Sequence, residues 1–237
     1  MASRNLNPPE RQNLFIDADD TLWENNIYFE RAFDEFCDFL AHSKMTPVEI
    51  RTVLDEIEAV NSKIHGYGTA SFGRNLSECY HHLVEREVRQ EDLSTIMSFA
   101  ERILDHPMEL ISGVEETLEY LSARHDLTLM TKGHPDEQKL KLDRSGLAIY
   151  FRHTVIVREK NETSYSSLVK ERKLEPSQTW MIGNSPKSDI NPALAAGLNA
   201  VFIPHPHTWT LEREEVRNGG TGTLIEIERF ADLQEHF

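Results

Sequence analysis

Residues 14–23 read Leu-Phe-Ile-Asp-Ala-Asp-Asp-Thr-Leu-Trp, an apolar run that breaks into three acids within four positions. Leu14 to Ile16 read as a short buried strand, too brief for periodicity alone to decide. Asp17, Asp19 and Asp20 then crowd like charges at its tip. Such a cluster is either a solvated turn, where Asp is a common residue, or a place where positive charge is held. What the chain puts at its other strand ends decides between these.

The order of elements supplies those ends. From about Asn26 to about Leu104 the texture is helical, with Phe29, Phe33, Phe36 and Leu40 recurring at three- and four-residue steps. Ile50, Val53, Leu54 and Ile57 follow Pro47, a residue suited to open a helix. Further helices are predicted around Leu76 to Val88 and Leu93 to Leu104. The second half alternates instead: a helix in "GVEETLEYLSARH", a strand in "DLTLMT", a helix from Pro135 to Arg144 and a strand in "HTVIV". Thr163 to Lys173 is a helix, "TWMIG" a strand, Pro186 to Ala196 a helix and "NAVFIP" a strand, with a last short strand or turn and a terminal helix in the tail. Short strands alternating with helices indicate an α/β fold: an open parallel sheet, Rossmann-like, covered on both faces. The expected organisation is a core of residues 12–24 and 106–237 and an inserted all-helical cap of residues 25–105.

Bulk properties narrow the function classes. The 237 residues can bury roughly 70% of the unfolded surface, enough to need no disulfide or structural metal. A net charge of −15, from 40 acids against 25 Lys and Arg, argues against a nucleic-acid polymer as partner. Cys37 and Cys79 form no CxxC and read as free thiols of a reducing compartment. No apolar run reaches membrane-span length, and the N-terminal stretch "MASRNLNPPERQN" lacks a signal-peptide core, so a cytoplasmic location is expected.

Open parallel sheets bind ligands beyond the carboxyl ends of their strands. That rule selects Asp17 and Asp19, Thr131 and Lys132 after "LTLM", Lys160 beyond "VIV", and Asn184 and Ser185 after "TWMIG", with Asp189 in the following helix. Acids, a hydroxyl, ammonium groups and an amide suit a hard cation and a phosphate together, and Mg2+ wants oxygen ligands. Backbone N–H groups at the start of the helix after "TKGH" can add to the phosphate site.

These residues resemble, in order, the four motifs of the haloacid-dehalogenase-like superfamily in its phosphatase form. "DADDT" resembles the Asp-x-Asp first motif, "LTLMTKG" the second, Lys160 in "IVREK" the third and "MIGNSPKSDI" the fourth, with Asn184 where an acid usually stands. The resemblance implies Asp17 as nucleophile and Asp19 as general acid and base. It implies Thr131 and Lys160 on the transferring phosphoryl group, and Mg2+ held by Asp17, the Asp19 carbonyl, Asn184 and Asp189. The implied activity is Mg2+-dependent hydrolysis of a small phosphorylated metabolite, by a monomer or small homo-oligomer under a helical cap. Alternatives of the same fold are a 2-haloacid dehalogenase or a phosphomutase, and from another class a non-catalytic binding protein.

Other residues are more ambiguous. Lys132 would add positive charge at the phosphate's edge. Arg74 and His65, around the glycine-punctuated "HGYGTASFG", are the cap residues best placed to reach a substrate, beside the plainer reading of that stretch as a connection. Asp20 reads as a turn acid facing solvent or the cap, and Thr21 as bonded within the turn. His205, His207 and Trp209 read as a surface loop near the site, lacking a third metal ligand nearby.

Overall fold

A computed structural model of the chain describes residues 11–217 and 220–237. The polar lead-in of residues 1–10 lies outside the described residues. Six strands form one all-parallel sheet: β1 (Asn13–Ile16), β2 (Asp126–Lys132), β3 (His153–Val157), β4 (Thr179–Gly183), β5 (Asn199–Phe202) and β6 (Leu224–Glu226). Their order is β3-β2-β1-β4-β5-β6, so the winding reverses between β1 and β4, which is where such sheets open a crevice for ligands. Alternation along β1 serves both faces. Leu14 and Ile16 pack with Leu127, Leu129 and Ile182 on one side, while Phe15 meets Met130 and Met181 on the other.

Helices cover both faces. α5 (Val114–Ser122) and α6 (Pro135–Ser145) supply Val114, Leu118, Leu121 and Leu142 to the first cluster, and α7 (Glu162–Arg172) supplies Tyr165, Leu168 and Val169 to the second. Between β1 and α5 stand α1 (Asn26–Leu40), α2 (Pro47–His65), α3 (Thr69–Leu83) and α4 (Gln90–Glu101). Their apolar stripes close on one another in a cluster that includes Phe36, Leu54, Leu76 and Ile96 and no residue of the sheet. The α/β core and the helical cap are therefore both present.

Two cap helices start earlier than periodicity suggests. The expected helix at Leu76 to Val88 runs instead from Thr69 to Leu83, because Glu137 of α6 accepts hydrogen bonds from Thr69 N (3.0 Å) and Oγ1 (2.9 Å) and so caps it from the core. α4 starts at Gln90, where Asp92 accepts from Arg89 N (3.1 Å), and Arg102–Asp105 winds as a 3-10 turn. The helix expected from Pro186 opens as a π-helical turn, Pro186–Ile190, before α8 (Asn191–Ala195). That wider turn lays Asp189 against Gly183, where any Cβ would collide with its carboxylate.

Candidate active site

Asp17 sits one residue beyond β1 and is still pinned to β4, its N–H donating to Ile182 O (2.9 Å). The chain then turns back at once: Thr21 N and Leu22 N both donate to Ala18 O, and Asp20 takes a left-handed φ of 59°. Leu22 and Trp23 bury in the core and anchor the turn. The sequence reading of Asp20 as an exposed turn acid is corrected here. Asp20 is buried, and its Oδ1 accepts from Asn25 N (2.9 Å) and Asn26 N (3.0 Å) where the chain enters α1. Burial, with some help from Asp19 and Asp17, pushes its carboxyl up to about 7 against those amides.

Asp17, Lys160 and Asp189 form the centre. The Lys160 ammonium donates to Asp17 Oδ1 and to Asp189 Oδ1 (2.7 Å), and the lysine is 3% exposed. Burial works against that charge, yet the two carboxylates outweigh it and hold the ammonium above the ordinary lysine range. Burial and the nearby Asp17 raise Asp189, while Lys160 pulls it back. Two buried carboxylates thus share one ammonium, and the excess negative charge is what an added cation would neutralise.

Asn184 lies on the other side of Asp17. The Thr21 hydroxyl donates to Asp17 Oδ2 (3.0 Å) and stands 3.3 Å from Asn184 Oδ1. Asn184 Nδ2 donates to Thr208 Oγ1 (3.0 Å), which turns the amide oxygen toward Asp17. Carboxylate, amide oxygen and hydroxyl converge as an all-oxygen donor set, and that chemistry fits Mg2+. A separate group, Asp20, Glu24 and His205, offers one ligand atom each within 4.8 Å of one another. The sequence reading found no third ligand near His205, and the fold supplies two carboxylates from the β1 turn. The imidazole divides its nitrogens between them, Nε2 at 3.4 Å from Glu24 and Nδ1 at 3.9 Å from Asp20. It therefore bridges the two acids.

Asp19 faces the cleft from the opposite wall. Its carboxylate accepts from Lys141 Nζ (2.9 and 3.0 Å), Gln138 Nε2 (2.8 Å) and Trp23 Nε1 (2.7 Å). Burial alone would raise it, but the Lys141 charge and these donors prevail and hold it below the ordinary carboxylate range. Thr131 is buried at the end of β2, its hydroxyl making only a long contact to Lys132 O (3.4 Å). It keeps bonding capacity for a ligand.

Two expected substrate contacts are placed differently. Arg74 is exposed on α3, bonds Ser71 Oγ (3.0 Å) and does not line the cleft, because the helix is already formed there and turns it outward. His65 is exposed as well. Lys132 lines the cleft, but its ammonium pairs with Glu212 (2.6 Å), Ser188 Oγ (2.9 Å) and Glu159 (3.4 Å), and lies 4.3 Å from the Tyr67 ring centre. Its charge is matched by Glu212, and no free cation is left at the phosphate's edge. Gln138 and Lys141 escaped the sequence reading although they stand one turn apart on α6. Thr208 and Glu212 gave no local signal at all.

A protein-family model for haloacid dehalogenase-like hydrolases matches residues 15–203. The chain belongs to that family. Among solved structures, it is similar to a haloacid dehalogenase-like hydrolase from Xanthomonas campestris at 27% identity, covering 95% of this chain and 94% of that one, with a TM-score of 0.81. The HAD-hydrolase YfnB from Bacillus subtilis, bound to magnesium, shares 17% identity over 96% of this chain and 99% of its own (TM-score 0.66). A 2-haloacid dehalogenase from Pseudomonas syringae shares 21% over 95% and 97% (TM-score 0.60). No curated protein sequence matches the chain. The latter two likenesses speak for the fold. Among the described residues no helix is long and apolar enough to cross a membrane.

Proposed function

We propose that this haloacid dehalogenase-like hydrolase is an Mg2+-dependent phosphomonoesterase, acting on a small phosphorylated metabolite in the cytoplasm through an aspartyl-phosphate on Asp17. One observation carries the reading. Asp17 holds one carboxylate oxygen on buried Lys160 and the other beside Asn184 Oδ1, with a second acid, Asp19, two residues away on the same cleft. Asp17, the Asp19 carbonyl and Asn184 would hold Mg2+, with Asp189 behind them, and the ion supplies charge neutralisation between two anions.

The chain's own groups account for the rest. Asp17 attacks phosphorus, the ester P–O bond breaks, and the leaving oxygen takes a proton. Lys160 and Thr131 hold the equatorial oxygens while charge redistributes. Water then attacks phosphorus, gives its proton to Asp19, and Asp17 returns as a carboxylate. From its ionised state Asp19 is ready as the base. To act first as the acid, it must gain a proton against the hold of Lys141, Gln138 and Trp23. The helical insertion, residues 25–105, serves as the cap over a core of residues 12–24 and 106–237, and excludes bulk water.

Asn184 and the Lys141-held Asp19 also favour a second reading, hydrolytic dehalogenation by Asp17. Phosphate release from a panel of monophosphates, with and without Mg2+ and with Asp17→Asn beside the native chain, separates the two. Release that needs both Asp17 and Mg2+ supports the phosphatase. Turnover of 2-chloropropionate unaffected by EDTA, without phosphate release, replaces it with the dehalogenase.

A further inference from the structure

The cap wall of the cleft carries a second set of polar groups that the phosphoryl chemistry does not use. On α2, Arg51, Glu58 and Ser62 recur at seven- and four-residue steps, which puts them on one helix face, and all three line the cleft. Glu58 is 5% exposed. Its Oε2 accepts from Trp209 Nε1 (3.2 Å), and its Oε1 has no hydrogen-bond partner among the described residues. Asn75 on α3 also lines the cleft and is 6% exposed. Its Oδ1 accepts from Asn61 Nδ2 (3.0 Å), while its own Nδ2 has no partner among the described residues. Buried groups left with unused bonding capacity cost free energy, so the cleft is built for something that completes them.

The chemistry of that ligand follows from the pair. Glu58 Oε1 offers an acceptor and Asn75 Nδ2 a donor. A hydroxyl can give to the first and take from the second at once. An ammonium would meet the Asn75 donor unfavourably. A carboxylate would meet Glu58, and the one nearby cation, Arg51, is already shared between Glu30 (2.8 Å) and Asp55 (3.0 Å). The Trp209 and Phe72 rings beside the pair present apolar faces to C–H groups. The cleft encloses about 160 Å³, close to the cavity of about 150 Å³ that takes one benzene ring. A nucleoside does not fit this closed arrangement.

We propose that Glu58, Asn75 and Trp209 select a polyhydroxylated leaving group, so that the substrates are sugar or polyol monophosphates. This rests on the phosphatase reading, and the test separates the two. Isothermal titration calorimetry and phosphate release are measured in parallel with sorbitol 6-phosphate, phosphoglycolate, O-phosphoethanolamine and p-nitrophenyl phosphate. The proteins are the native chain and the Glu58→Gln, Asn75→Leu and Arg74→Ala variants, each checked by thermal melting. In Asn75→Leu, Asn61 keeps its bond to Glu78 (2.8 Å), so the helix pair stays tied.

Sorbitol 6-phosphate is expected to bind tightest. Its preference over p-nitrophenyl phosphate should fall about tenfold in Glu58→Gln and in Asn75→Leu, the loss of one hydrogen bond each, and stay unchanged in Arg74→Ala. Tighter binding of phosphoglycolate or O-phosphoethanolamine overturns the proposal, as does a preference indifferent to residues 58 and 75. Binding selectivity without phosphate release from any ester supports the wall and refutes the phosphatase. Release without selectivity does the reverse.

Discussion

Replacing Glu58 by Gln should change the pH dependence of stability in a defined window. Burial is the main cause that pushes the Glu58 carboxyl up to about 7 from an ordinary 4.5, with Asp55 adding to it and Arg51 and the Trp209 indole opposing. Between those two values the unfolded chain has released a proton that the folded chain still holds. Stability therefore falls as pH rises from about 4.5, and the whole cost is in place above about 7. At about 1.4 kcal/mol per pH unit of that gap, the cost comes to roughly 3 kcal/mol as an upper bound. Gln keeps the volume and a carbonyl oxygen for the indole but has no charge to desolvate. Urea melts of both proteins at half-unit intervals from pH 4 to 8.5 give the difference, in which every other titrating group cancels. The variant should match the native chain near pH 4 and exceed it by roughly 2–3 kcal/mol at pH 8. A difference that stays flat across the window refutes the desolvated Glu58, and with it the premise that the cap wall awaits a partner.

Three other perturbations reach different parts of the site. Lys141→Met removes the charge that holds Asp19 low, so the acid limb of the pH–rate profile should move to higher pH; an unmoved limb means that Asp19 is not the titrating group. Asn184→Asp should tighten Mg2+ about tenfold, read from the Mg2+ dependence of phosphate release, by turning a neutral oxygen ligand into an anionic one. An unchanged dependence removes residue 184 from the metal shell. Gly183→Ala drives a methyl into the Asp189 carboxylate and should cost about 1–3 kcal/mol by thermal or urea unfolding, more than an exposed Gly→Ala change elsewhere.

What the sequence revealed and what it hid divide along the distance between contacting residues. Asp17, Thr131, Lys160 and Asp189 were legible because each lies within a few residues of a strand end, and the strand order carries all four to one crevice. Asp20 was misjudged because its burial comes from the helix entry at Asn25 and Asn26 and from nearby His205, which no turn propensity reports. Arg74 was misplaced for a similar reason. The glycines of "HGYGTASFG" suggest an irregular stretch, but Glu137, 68 residues on, caps α3 at Thr69 and sets the helix phase. The pairing of Lys132 with Glu212 spans 80 residues and that of Trp209 with Glu58 spans 151, beyond any local pattern. The polar stripe of α2 was different. Arg51, Glu58 and Ser62 stand at helical spacing beside the apolar Ile50, Leu54 and Ile57, so that face could have been read as the wall of a site.

The role of Asp17 can be tested by following oxygen. Single-turnover reaction with a sugar monophosphate in 18O-labelled water, followed by mass analysis of the products and of the peptide containing Asp17, distinguishes attack of water on phosphorus from attack on the carboxylate carbon. A phosphoenzyme opened at phosphorus places one label in the released phosphate and none in Asp17, and Asp17→Asn releases no phosphate. Label appearing in the Asp17 carboxylate, or phosphate released by Asp17→Asn, contradicts the account.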